Sequence, residues 1–185
     1  MSTAIPVKQI TANELAERSD SKHFELVNGQ LVELSTSGLS SEVAMELVHQ
    51  LKTFICDKSI GSVYGPDCGF QCFEFDAQRV RRPDVSFIAA GRITEADRES
   101  GHFKIEPDFV VEVVSPSDLY SELNEKVSEY LRAGVKVVWV IDPVVRNSFI
   151  RRLDGSITPV EKDDVLECTE VIPGFECTIP GLIPQ

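Results

Sequence analysis

The spacing of apolar and polar positions changes several times along the chain, and each change predicts an element. Residues 1–22 hold a short helical candidate, with Thr11 placed to cap TANELAER. HFELVNGQLVELS follows, two alternating runs separated by Asn28-Gly29. A type I′ turn needs positive φ at both central residues, which Asn-Gly accepts, so the run predicts a hairpin. Its register pairs Val27 with Gln30, Leu26 with Leu31, Glu25 with Val32 and Phe24 with Glu33. Phe24, Leu26, Leu31 and Glu33 then share one face, and Glu25 lies on the other with Val27 and Val32.

Residues 40–57 carry apolar side chains at Val43, Leu47, Val48, Leu51, Phe54 and Ile55, the spacing of an amphipathic helix capped by Ser40 or Ser41. Short strands are predicted near Gly61–Tyr64 and Phe70–Phe75, and Pro83-Asp84 opens the strand DVSFIAA. A polar loop over roughly 91–106 precedes DFVVEVVS. Pro116 suits the first turn of a helix running to about Ala133, with Gly134 as its C-cap. VKVVWVID follows at once. Asp108 to Ile141 therefore reads as strand–helix–strand, and two nearly continuous apolar strands suit a parallel pair buried on both faces. NSFIRRLDGSITPVEK reads as a second hairpin about Asp154-Gly155, and the Pro/Gly-broken PGFECTIPGLIPQ is expected to pack over the core.

Three residues break this pattern. Glu112 lies inside an otherwise apolar strand, where a lone carboxylate costs several kcal/mol unless it is paired, protonated or bound to a metal. Asp84 opens a β-rich strand directly after a proline. Lys126 is the subtlest. On a helical wheel Leu119, Leu123, Val127, Tyr130 and Leu131 fall within an arc of about 120°, and Lys126 lies about 20° outside it. Glu125 and Glu129 point elsewhere, whereas Lys126 stands one turn before Tyr130 and can be aimed back at Glu112 as the helix recrosses the sheet. The bland alternatives are a solvent-facing strand-start aspartate, a neutral buried glutamate and a lysine whose stem covers apolar surface. Taken together the three predict a divalent-metal site. Carboxylates on neighbouring strands are hard ligands suited to Mg²⁺, with Mn²⁺ as its substitute, and an ammonium beside them can orient water or neutralise a phosphate oxygen.

Composition narrows the picture. The length of 185 residues, 42% of them hydrophobic, suits one domain over 1–185 with a real core. No run of about 18 apolar residues is present, and the start has no secretory pattern, so the cytoplasm is the expected compartment. Five cysteines without a CxxC pair read as reduced thiols. The formal net charge of −12 argues against broad adhesion to nucleic acid or anionic membrane. It leaves room for a local contact, and the cluster Arg79, Arg81 and Arg82 just before Asp84 is the candidate for phosphate. Its bland reading is a solvated charged loop.

At RRPDVSF, EPDFVVEVVSPSD, EKVSEYLRAGV and WVIDP the chain resembles the Uma-two family of the PD-(D/E)XK nuclease superfamily. The likeness extends through FELVNGQLVEL and VIPGFE, over roughly residues 20–180. It implies an α/β (α+β) restriction-endonuclease-like fold, a mixed central sheet flanked by helices with an added N-terminal hairpin, and Mg²⁺-dependent cleavage of phosphodiester bonds in DNA. It matches Asp84 to the Pro-Asp carboxylate, Glu112 to the (D/E) position, Lys126 to a lysine on the following helix, and Glu25 to a hairpin glutamate that would be a further metal ligand. Val114 stands where the superfamily lysine would fall. Family members often carry a histidine near the start of the first long helix, and Ser41 stands at about that position. That departure and the acidic balance favour the rival reading, a non-catalytic module binding nucleic acid or a protein on the same scaffold. A hydrolase of another phosphate ester is the third reading. A homodimer would serve double-strand cutting by two-fold symmetry.

Overall fold

Local rules place most elements where the sequence predicts them. The computed structural model describes residues 9–183; residues 1–8, the head of the N-terminal segment read above, and the last two residues of the tail lie outside it. Thr11 caps α1 (Ala12–Ala16) in a capping box with Glu14. β1 (Phe24–Val27) and β2 (Gln30–Glu33) pair in the expected register around Asn28 and Gly29, whose φ values are 52° and 75°. α2 spans Gly38–Ile55, β3 Gly61–Tyr64, β4 Val85–Ala89 and α3 Glu95–Glu99. β5 (Phe109–Val113), α4 (Tyr120–Ala133) and β6 (Val137–Asp142) form the strand–helix–strand unit. Then come β7 (Asn147–Arg152), β8 (Ile157–Val160), β9 (Val165–Glu167), β10 (Glu176–Thr178) and α5 (Ile179–Leu182).

The central sheet has the order β3-β4-β5-β6-β7-β8, parallel between β5 and β6 and antiparallel elsewhere. Its two faces have different partners. Val85, Phe87, Phe109, Val111 and Trp139 pack against Val43, Leu47 and Leu51 of α2, and β9, β10 and α5 close the same core through Leu166, Cys177 and Ile179. On the other face Val110 and Val138 meet Val127 and Tyr130 of α4. Each fully buried aliphatic side chain contributes about 1.5–3 kcal/mol, so this two-sided packing holds β5 rigid. The N-terminal hairpin is a separate two-stranded sheet, fastened where Leu26 and Val80 exchange both backbone hydrogen bonds at 2.9 and 3.0 Å. β8 is an edge strand, and Pro159 faces Phe149 across the pair. A proline there needs its nitrogen on the unpaired side.

Four details differ from expectation. α2 starts at Gly38 because Ser37, rather than Ser40 or Ser41, accepts the capping bond from Ser40 N–H. α4 starts at Tyr120, four residues beyond Pro116. The Asp118 side chain accepts Ser115 N–H at 2.7 Å and closes a turn that keeps Pro116 out of the helix. Phe70–Phe75 is not a strand: Phe70 makes single bridges to Arg81 and Phe103. The loop over 91–106 contains α3, capped by Thr94 and Asp97. Gly134, at φ 106°, ends α4 as expected, with Val135 N–H bonded to Tyr130 O.

Candidate metal and phosphate site

Asp84 sits one residue beyond the Val85–Val111 pair, so it lies beside Glu112 across neighbouring strands. Its Oδ2 accepts Val113 N–H at 2.7 Å, the bond that ties the residue to β5 where the backbone pairing ends. Glu112 and Val110 share the face that meets α4. The 14 residues of α4 bring Lys126 and Tyr130 back over that face. Lys126 Nζ lies 2.9 Å from Glu112 Oε2 and 3.0 Å from Glu25 Oε1, and also donates to Arg82 O at 3.2 Å. Tyr130 O–H donates to Glu112 Oε1 at 3.0 Å. The ammonium's three N–H groups and both Glu112 oxygens are thus engaged.

A cleft of about 210 Å³ opens beside these groups, lined by Asp84, Glu112, Lys126 and Glu25. Its walls are the segment after β2, through Ser35 and Thr36, and the turn before α4, through Ser115 and Ser117. Ser117 O–H donates to Ser35 Oγ at 3.0 Å across the two walls. Ser40 lines the cleft and Ser41 is exposed on α2 outside it.

The electrostatics follow from three carboxylates around one ammonium. Burial pushes the Glu112 carboxyl up to about 8; Lys126 pulls against that, and Asp84 and Glu25 add to it. Burial also raises Asp84, opposed by Lys126 and the Val113 N–H. Burial acts against charge on Lys126, but Glu112, Glu25 and Asp84 outweigh it and raise its pKa. Glu25 goes the other way. Burial is more than offset by Lys126, Arg81 and the Arg82 N–H, and its pKa falls.

Asp84, Glu112, Lys126 and Glu25 are therefore brought together. Glu25 is not a free ligand: Oε1 accepts Arg82 N–H and faces Lys126, and Oε2 accepts Arg81 Nη1 at 2.8 Å. Among the described residues no group of three or more His, Cys, Asp and Glu side chains stands ready to hold a metal ion, and the Lys126 ammonium lies within 3.0 Å of both Glu25 and Glu112. Asp84 and Glu112 alone fit a hard cation. They are hard oxygen donors side by side on neighbouring strands, Asp84 Oδ1 makes no hydrogen bond among the described residues, and the cleft of about 210 Å³ has room for an ion that keeps several waters.

Arg79, Arg81 and Arg82, the expected phosphate contact, are 5%, 7% and 4% exposed, and most of their donors have protein acceptors. Arg79 pairs with Glu129 and Asn28, Arg81 bridges Glu129 and Glu25, and Arg82 donates to Phe24 O and Asp67 O. Arg81 and Arg82 reach the cleft wall. Glu129, off the apolar stripe, is buried on the side of α4 that meets Arg79 and Arg81, a partner the wheel did not include. Arg79 and Arg81 flank the buried Val80, and that R-V-R alternation was the available signal for a shared carboxylate partner. Tyr130 was legible only as a stripe residue.

A family model described as Uma2, putative restriction endonuclease, matches residues 11–180, extending the N-terminal end of the expected resemblance. Among curated proteins nothing matches the chain. A solved crystal structure, of a putative nuclease belonging to DUF820 from Anabaena variabilis, superposes with a TM-score of 0.78 at 21% identity, covering 94% of this chain and 97% of that one. At that identity the likeness shows the fold: a mixed sheet between helices, with the added hairpin.

Proposed function

This chain belongs to the Uma2 family of putative restriction endonucleases, and on that premise we propose that it hydrolyses phosphodiester bonds of DNA with Mg²⁺ or Mn²⁺ bound at Asp84 and Glu112. The observation that carries the reading is the placement of these two carboxylates and Lys126 together at one cleft. A bound divalent ion would polarise the phosphodiester and make its water a better nucleophile at neutral pH. The chain's own groups do the rest. The Val113 N–H holds Asp84 and the Tyr130 hydroxyl holds Oε1 of Glu112, and Lys126, once the ion had taken its Glu112 oxygen, would have an N–H for a phosphate oxygen or for the attacking water. Glu112 stands beside Asp84 and would give up its Lys126 bond to the ion, whereas Glu25 is held by Arg81 and the Arg82 N–H as well as by Lys126, so we assign Glu25 to Lys126 instead of to the metal. The site's buried arginines are left out of substrate contact for the same reason.

The test is plasmid nicking with Mg²⁺ or Mn²⁺, run on wild type beside Glu112→Gln and Lys126→Met. Wild type should nick. Each variant should lose at least about 100-fold, the lower range for removing one positioned transition-state partner. Equal nicking by wild type and Glu112→Gln overturns the assignment. The formal net charge of −12 favours one rival, a binding module on the same scaffold. That rival is supported if wild type shifts labelled DNA and never nicks it.

A further inference from the structure

Behind the cleft, charged side chains alternate in sign through the interior. Arg79 pairs with Glu129. Glu129 Oε2 accepts Arg81 Nε at 2.6 Å, and Arg81 Nη1 reaches Glu25 Oε2 at 2.8 Å. Glu25 Oε1 faces Lys126 at 3.0 Å, and Lys126 meets Glu112 at 2.9 Å. Arg79, Arg81, Glu25, Glu112 and Glu129 are all buried. An arrangement of this kind is an expensive way to fasten a hairpin, since apolar residues of the same volume are often as stabilising as buried ion pairs.

What apolar residues could not do is fix a direction. The planar Arg81 fork sets the spacing of Glu129 and Glu25, where a lysine would offer only a point charge. Glu25 Oε1 is fixed a second time by the Arg82 N–H at 2.7 Å, so that oxygen has one place to be. The ammonium's other partners are Glu112 and the Arg82 carbonyl, and Glu25 is the only one of the three reached through Arg81. Lys126 has four rotatable side-chain bonds and lies at the wall of an open cleft. Without Glu25 held in place, its tip keeps only Glu112 and the Arg82 carbonyl, and Glu122, which lines the same cleft, competes for it.

We propose that Arg81 and Glu129 are positioning residues for Lys126: the Glu129–Arg81–Glu25 relay keeps its ammonium aimed at Glu112 and Asp84. The inference rests on the nuclease reading for its consequence, but its structural content is measurable without turnover. In protein labelled with ¹⁵N-lysine, the Lys126 ammonium, with all three N–H groups hydrogen-bonded, should give a slowly exchanging side-chain signal, identified by its loss in Lys126→Arg. In Glu129→Gln, and more strongly in Arg81→Met, that signal should exchange at least about tenfold faster. In Asp108→Asn, a buried-carboxylate change at the other end of β5, it should stay as in wild type, which separates positioning from general loosening. Backbone amide spectra report folding, and Glu129→Gln, nearly isosteric, decides the matter if Arg81→Met does not fold. An unchanged Lys126 signal in folded Glu129→Gln overturns the proposal. In the nicking assay the same variants should lose kcat by about tenfold to a hundredfold, the cost of a misplaced catalytic group, with KM for DNA within about twofold. Lost KM with kept kcat also overturns it. A wild type that never nicks while its Lys126 signal responds as expected refutes the nuclease reading alone.

Discussion

Asp108, just before β5, and Glu112, near its far end, lie four residues apart, both almost fully buried, and their chemistry is opposite. Asp108 accepts Lys136 Nζ at 2.8 Å, Ala89 N–H at 2.9 Å and Arg92 Nη1 at 2.6 Å, with Arg92 also paired to Glu106. Burial alone would raise its pKa, but those three donors more than offset it, and the carboxyl is held below its usual range. Glu112 shares one ammonium with Glu25 and Asp84, and its carboxyl is pushed up to about 8. Burial does not separate a structural ion pair from a reactive site here. The balance of charge does. Asp108 has more cation than it needs and serves as a clamp, whereas Glu112 is short of cation and is suited to receive another.

The largest expected difference is in metal affinity. In calorimetric titration with Mg²⁺ or Mn²⁺, Asp84→Ala and Glu112→Gln should weaken binding by more than about 100-fold, beyond the 10–100-fold typical of outer-shell partners. Asp108→Asn should leave it unchanged. If Asp108→Asn weakens the metal equally, the two ends are not distinct.

Next comes the pH dependence of the metal-free protein. Glu112 has a folded pKa of about 8 against an ordinary 4.5, so the folded chain holds that proton more tightly than the unfolded chain. Its contribution to stability is complete below about pH 4.5 and is lost as pH rises through 8. Urea midpoints should show wild type losing on the order of 2 kcal/mol relative to Glu112→Gln between pH 5 and pH 8.5, after allowance for coupling to Lys126. Parallel pH profiles for the two proteins contradict the assignment. Asp108 has the reverse sign. Its pKa is depressed on folding, so its contribution is present above the unfolded carboxyl pKa and lost as pH falls through the folded one. Asp108→Asn should cost about 1–2 kcal/mol at pH 7, less than a fully buried pair because Arg92 and Lys136 are partly exposed. The smallest effect belongs to Lys136→Met. Its side chain is 53% exposed, and the loss should stay under about 0.5 kcal/mol in the same denaturation series.

How far the sequence carried depends on the range of each interaction. The Asn28-Gly29 register and the Gly134 cap were legible because a turn or a cap is decided by a few adjacent residues. Asp84, Glu112 and Lys126 were legible as violations, a charge in an apolar run or at the edge of an apolar stripe. The start of α4 was not, because it depends on the Asp118 side chain folding back on Ser115, which competes with the helix that Pro116 would otherwise begin. The fate of the arginines was hidden for a different reason. The partners of Arg81 lie at Glu25 and Glu129, 48 to 56 residues away, and nothing local says that the hairpin and α4 both meet this segment. A charged cluster reads as a surface until its countercharges are placed.

Pro159 has a consequence for how copies of this chain can meet. β8 ends the sheet with a row of backbone groups that would ordinarily accept another strand, and such an edge is a template for chain-to-chain zippering and fibril growth. At Pro159 the outward nitrogen carries no hydrogen, so an approaching strand finds a missing rung in the middle of a four-residue ladder. Crowded molecules can touch here without knitting their sheets together. Pairing of two copies at this edge must therefore use side chains, where fit to a particular partner can be selected, in place of backbone hydrogen bonds that any strand could offer.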